Sequence, residues 1–199
     1  MEPRHLPLTM MILFFVVVIV LRVSLQLIRV GDSGIRPGGK LKTPQQICIS
    51  YLMFGTLLVQ LFLSSLYAVP KIDPHIELGN AGLWIGVILC ICGIMFASYC
   101  QFFMGGNWRI GVDPNEKTEL ITSGIYSKIR NPIYTGCIVH GLGILFLAPN
   151  VLVFINGVAG LYTIRAYVRY IEEPYLIKLH GNEYVRYMGS TGSFLPNLK

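Results

Sequence analysis

Residues 133–171 read IYTGCIVHGLGILFLAPNVLVFINGVAGLYTIRAYVRYI: two apolar runs, Ile133–Leu147 and Val151 to about Ile171, divided by the turn-prone Ala148-Pro149-Asn150. The simplest reading is a helical hairpin whose first arm is barely long enough to cross a bilayer, since a helical crossing takes about 20 apolar residues. Working outward, three longer runs precede it: Leu6–Leu27, Ile47–Val69 and Leu78–Phe103. The first is too long for the core of a secretory signal, contains Arg22 and is followed by no small-residue cleavage site, so it reads as a retained helix. The expectation is an all-α polytopic membrane protein of about five transmembrane helices, with the hairpin at the C-terminal end. Residues 1–199 would form one membrane domain, 1–103 supplying three N-terminal helices and 104–199 the loop, hairpin and C-terminal segment that carry the chemistry.

Composition agrees: 53% of residues are apolar and 13% charged, with a mean hydropathy of +0.59, outside the range of a soluble globule. The net charge of +6 needs no nucleic acid. With five spans and the N-terminus outside, Arg29, Arg36, Lys40, Lys42, Arg109, Lys117, Lys128, Arg130 and the C-terminal cations fall on the cytosolic side, and only Arg4 and Lys71 fall outside. A four-span alternative leaves one hairpin arm out of the bilayer and breaks this alternation. Anionic lipid is the natural partner of the surplus. The five cysteines lie in or at the edge of apolar helices with no paired spacing. Cys90 and Cys92, two apart on a helix, point to different faces, so no metal site is expected. Gly82 and Gly86 form a small-residue pattern suited to close helix packing, within the chain by default.

The informative residues lie in the second half. In TIRAYVRYIEEPYL, an unbroken α-helix puts Arg165, Arg169, Glu172 and Glu173 on one ionic stripe. Charges near hydrocarbon face a partner or a watery cavity. Arg169 and Glu173 either pair with each other at the membrane interface or serve a site, and Arg165 reads as a side chain reaching for head groups. In GIYSKIRNPIYTG, Pro132 marks a helix start, where free N–H groups beside Arg130 suit a carboxylate and Tyr126 and Tyr134 can stack on a base or face a cation. Those same residue types are also ordinary interface anchors.

Taken in order, ELITSGIYSKIRNPIYTG, RYIEEPYLIKLHGNEYVRY and FLP resemble the isoprenylcysteine carboxyl methyltransferase family and its relatives, the membrane phospholipid methyltransferases, over Glu119–Pro196. Asn131 stands where that family usually has histidine. The resemblance implies S-adenosylmethionine as methyl donor, in a cytosolic pocket under a folded-back C-terminal segment. By motif position Thr118, Glu119, Leu120, Ile121, Tyr126, Asn131, Pro132, Ile133 and Tyr134 would line the cofactor site, Glu173 would complete it, and Arg169 would face the acceptor as the second catalytic residue. The acceptor implied is a prenylated cysteine or another lipid-linked small molecule. A carboxylate acceptor, with a pKa of about 4, needs no general base, whereas an amine must first lose a proton. His140 and His180 sit in no acid/base constellation, which favours carboxyl methylation. A phospholipid N-methyltransferase, a sterol reductase using NADPH and a non-enzymatic membrane scaffold are the alternatives.

Overall fold

The computed structural model describes residues 3–36, 43–112 and 119–197. Among the described residues four helices are long and apolar enough to cross a membrane: α1 (Pro3–Val30), α2 (Pro44–Ala68), α3 (Gly79–Asn107, closing in a 3-10 turn from Gly105) and α5 (Val151–His180), with the shorter α4 (Pro132–Leu147) between the last two. At 1.5 Å per residue α4 is about 24 Å long, short of the roughly 30 Å hydrocarbon core. A final helix, α6 (Asn182–Ser190), completes the chain. Among the described residues the only β-type pairings are the isolated bridges Ile35–Ile110 and Ile129–Gly192. The expected hairpin is present, its arms α4 and α5 joined through Ala148-Pro149-Asn150.

Local chemistry sets the helix ends. Pro44 and Pro132 occupy first-turn positions, where a missing N–H costs nothing. Thr43 accepts from the Gln46 N–H at 3.2 Å, and Asn150 accepts from the Leu152 N–H at 2.8 Å, capping α2 and α5. α1 stops at Gly31, whose φ of 75° closes the helix in the left-handed region.

Lipid offers no hydrophobic gain for helix association, so close contact between small residues must supply it. α3 and α4 run antiparallel along such a seam. A Cβ on Gly93 would lie 2.5 Å from the His140 backbone nitrogen, and one on Gly143 would lie 2.7 Å from the Gly86 carbonyl oxygen. Gly86 thus serves the close packing expected of it, inside the chain. α2 and α5 form a second antiparallel pair, joined by Asn156 Nδ2, which donates to the Thr56 carbonyl at 3.1 Å and to Gln60 Oε1 at 2.9 Å. Buried Met11, Leu63, Tyr67, Cys90, Ile144 and Val153 join α1 to both pairs. Large apolar side chains such as Leu58, Phe62, Trp84 and Met95 point outward, as they must against acyl chains.

Two stretches depart from α geometry: Phe15–Leu21 in α1 and Val168–Glu172 in α5 are π-helical. The second overturns the expected ionic stripe. A π turn inserts about one residue per turn, so side chains four apart no longer stack. Arg165 and Arg169 are exposed, and Glu173 pairs with Arg130 instead of Arg169.

Candidate functional site

A cavity of about 450 Å³ opens among α1, α2, α4, α5 and the loop that follows α3. Towards the hairpin turn its walls are apolar, with Met11, Phe14, Leu57, Leu145 and Phe154. At the other end of the bundle, where α3 finishes and α4 begins, the lining becomes Asn107, Trp108, Tyr126, Asn131, Tyr134 and Glu172.

Tyr126 sits in a short 3-10 turn, Gly124–Ser127, before α4. Its hydroxyl donates to the Cys100 carbonyl at 3.2 Å, its ring lies 6.1 Å from that of Phe103, and its own carbonyl accepts from the Tyr187 hydroxyl at 2.6 Å. Burial pushes the Tyr126 hydroxyl well above its ordinary pKa and that of Tyr187 up to about 12, so both remain neutral donors across the physiological range. Tyr134, in the first turn of α4, donates to Glu172 Oε1 at 2.7 Å.

Arg130 and Glu173 form an ion pair at 3.1 Å, both side chains largely shielded. Arg130 Nη1 also donates to the Met188 carbonyl at 3.1 Å and to that of Thr191. The planar guanidinium thereby ties α4's approach to α5 and to the tail at once, which a lysine could not reproduce. The tail folds back as a parallel strap. The Arg130 and Asn131 N–H groups donate to the Gly192 and Ser193 carbonyls at 2.8 and 3.0 Å, and Thr135 Oγ1 donates to the Phe194 carbonyl at 2.7 Å. Asn131 departs from its common capping role: its amide donates to Ser193 Oγ at 3.2 Å and makes no cap to α4.

Of the residues expected to hold a cofactor, Tyr126, Asn131, Pro132, Ile133 and Tyr134 line this cavity. Thr118 lies outside the described residues. Glu119 is exposed, its N–H donating to Asn107 Oδ1 at 3.2 Å, and Leu120 and Ile121 are half-buried beside it, off the cavity wall. Glu173 lies one contact behind the wall, through Arg130, and the carboxylate on the wall is Glu172. The π turn accounts for the exchange, because it advances the helix face by one residue. Arg169 is exposed, with its guanidinium 5.8 Å from the centre of the Tyr170 ring, and is not on the wall. Sequence reasoning missed Asn107 and Trp108 altogether. Their signal was Gly105-Gly106, a glycine pair in the closing turn of α3 followed by Asn107, an aromatic residue and a cation.

Such a fold defines an integral, multi-pass α-helical membrane protein, and its cavity is polar at one end. The family model described as phospholipid methyltransferase matches residues 81–183. The protein-S-isoprenylcysteine O-methyltransferase of Dictyostelium discoideum is 26% identical over 117 residues, covering 58% of this chain and 49% of that protein. The Homo sapiens protein of the same name is 30% identical over 120 residues, covering 57% of this chain and 41% of its own length. The solved structure of the eukaryotic intramembrane Ras methyltransferase, isoprenylcysteine carboxyl methyltransferase, superposes with a TM-score of 0.52 at 21% identity, over 79% of this chain and 54% of that one. The present chain thus spans about half or less of the curated relatives it matches, and the structural likeness concerns the fold.

The chain belongs to the phospholipid methyltransferase family. The likeness seen in the C-terminal two-fifths extends back into α3, whose glycine seam with α4 falls within the matched region.

Proposed function

We propose that this protein is an S-adenosylmethionine-dependent methyltransferase acting on the carboxylate of a lipid-linked, isoprenylcysteine-like acceptor. The observation that carries the reading is the continuity of one cavity between a polar end and apolar walls formed by helices long and apolar enough to cross a membrane. The donor set fits the cofactor: Tyr126 and Tyr134 offer faces for a nucleobase or a sulfonium, Glu172 offers a carboxylate for a cationic group, and the uncapped start of α4 offers N–H groups for a carboxylate. When bound, S-adenosylmethionine supplies an electrophilic methyl group on a positive sulfur. The chain's own part is to bind, orient and exclude water. Tyr134 holds the Glu172 carboxylate in place, and the strap from Gly192 to Phe194 covers the start of α4. A carboxylate acceptor arrives deprotonated, so positioning suffices. Arg169, exposed one turn before Glu172, would then meet the acceptor's charge from outside the cavity wall.

One observation favours a second reading, phospholipid N-methylation: Glu172 is a carboxylate on the cavity wall, which an amine acceptor could use as its base. Transfer of labelled methyl groups to a prenylated cysteine, its tailless analogue and phosphatidylethanolamine separates the two. Labelling of the prenylated cysteine alone supports the proposal. Labelling of phosphatidylethanolamine alone replaces it with the second reading, and equal labelling of the tailless analogue removes the lipid requirement. The same reading puts the N-terminus outside and the polar end of the cavity on the cytosolic side, in one domain. Thiol labelling of single cysteines placed in the loops from intact cells tests that topology.

A further inference from the structure

The N-terminal helix contains two polar side chains that the methyl-transfer reading leaves without a role. Arg22 and Gln26 lie within a membrane-spanning run, yet are only 4% and 1% exposed. Both precede the region matched by the family model. A guanidinium at that depth is retained only where partners replace water. Arg22 Nη2 donates to the Gly105 carbonyl at 2.6 Å, and its guanidinium lies 4.7 Å from the centre of the Trp108 ring. Gln26 Nε2 donates to the Gly106 carbonyl at 3.0 Å.

The carbonyls they serve lie in the closing 3-10 turn of α3, where the Trp108 N–H reaches the Gly105 carbonyl at 3.4 Å and Arg109 Nη1 also donates to the Gly106 carbonyl at 2.6 Å, so the two α1 side chains complete a shared cap. The π turn in α1 aims both residues at this point: one extra residue rotates the face that follows by about 100°. Gln101 of α3 secures that turn by donating to the Val18 carbonyl at 3.0 Å. The grip does not end at the cap. Trp108 is 2% exposed and lies on the cavity wall with Asn107, Arg109 and Ile110. Asn107 in turn accepts the Glu119 N–H, tethering the segment expected to hold the methyl donor. From the far side, the Ile110 N–H donates to the Gly34 carbonyl at 2.8 Å and the Arg36 N–H donates to the Ile110 carbonyl at 2.9 Å, so α1 and the segment after it hold the loop from both directions.

We propose that Arg22 and Gln26 are positioning residues: they fix the Gly105–Val112 loop so that Trp108 and Asn107 form one wall of the ligand cavity. Its ligand side rests on the methyltransferase reading, whereas the clamp itself does not, and the experiment separates the two. The chain has two tryptophans. Trp84 faces outward at 63% exposure, so W84F leaves Trp108 as the sole tryptophan, excited selectively at wavelengths where tyrosine does not absorb, with little disturbance. In that background and in detergent, Trp108 emission is expected to resist quenching by acrylamide. Arg22→Met is expected to raise the quenching constant at least threefold, Gln26→Leu about twofold, and Arg22→Lys, which keeps a charged donor without the planar stack, less than Arg22→Met.

Alongside, the affinity for S-adenosylhomocysteine is read by calorimetry on each variant, with its thermal midpoint measured to separate fold from site. About a tenfold loss for Arg22→Met, partly restored in Arg22→Lys, is expected. Should Arg22→Met fail to fold, Gln26→Leu decides, because it removes one neutral hydrogen bond. Unchanged quenching in the variants that fold overturns the clamp. Increased quenching with unchanged affinity makes it a structural cap and overturns the positioning role. If the parent protein binds no nucleoside, the methyltransferase reading falls and the quenching series alone decides whether the clamp holds the cavity wall.

Discussion

The two ends of the helical bundle use the same kinds of polar residue to opposite effect. At the hairpin-turn end Asn150 caps α5 and donates to the Asp73 carbonyl at 2.6 Å, Arg4 pairs with Asp73 at 2.6 Å, and the His75 N–H donates to the Pro149 carbonyl at 2.8 Å. Those groups hold one another, and none of them lies on the wall of the cavity described above. At the other end Tyr134, Glu172, Asn131 and Asn107 also find partners, yet they line a space large enough for a solute. What separates a structural polar cluster from a site here is whether satisfied side chains enclose volume, and charge content alone does not distinguish them.

That contrast can be broken by substitution. The largest effect is expected for Glu172→Gln, which keeps the shape and a partner for Tyr134 while removing the charge on the wall: S-adenosylmethionine affinity by calorimetry should fall roughly 100-fold, about 2.8 kcal/mol, in the range for loss of a charge-assisted contact in a shielded site. Asn150→Ala at the opposite end should behave inversely. It should lose about 1–3 kcal/mol of stability through the orphaned Leu152 N–H and Asp73 carbonyl, read as a lower thermal midpoint, with ligand affinity unchanged in the folded fraction. Gly93→Ala tests the seam between α3 and α4: the added methyl meets His140 and Gly136 backbone atoms, so a loss of about 1–3 kcal/mol without any change of acceptor preference is expected. Tyr134→Phe deletes one hydrogen bond to Glu172 and should weaken donor binding about fivefold, close to 1 kcal/mol. Smallest in binding is Arg169→Ala. Exposed as it is, it should leave S-adenosylmethionine affinity within about twofold while lowering turnover on a carboxylate acceptor, and an equal loss of both would remove its assignment to the acceptor.

Much of this was legible in the chain. The apolar runs gave the helices to within a few residues, except that α5 continues past the expected end near Ile171 to His180. Pro132 marked the start of α4. Tyr126, Asn131 and Tyr134 stood out by their motif positions in the resemblance, since such residues at a helix start are also ordinary interface anchors. Motif position assigns the site carboxylate to Glu173, whereas Glu172 is the one on the cavity wall. Their assignment depends on a π turn, and no spacing rule based on four-residue neighbours reports one. Asn131 could be flagged as a departure from its relatives, but its partner Ser193 lies 62 residues away, brought close by the strap. Trp108 escaped notice, and Arg22 was noted only as a charge within the first run, for the same reason: their meaning lies in a contact between α1 and the end of α3.

The most direct test is a calorimetric titration of S-adenosylmethionine into the detergent-solubilised protein and into Glu172→Gln. Saturable binding at one site per chain, weakened about 100-fold by the substitution, is the predicted result. No heat of binding to the parent protein, or equal affinity in both, would contradict the assignment of the polar end of this cavity to a methyl donor.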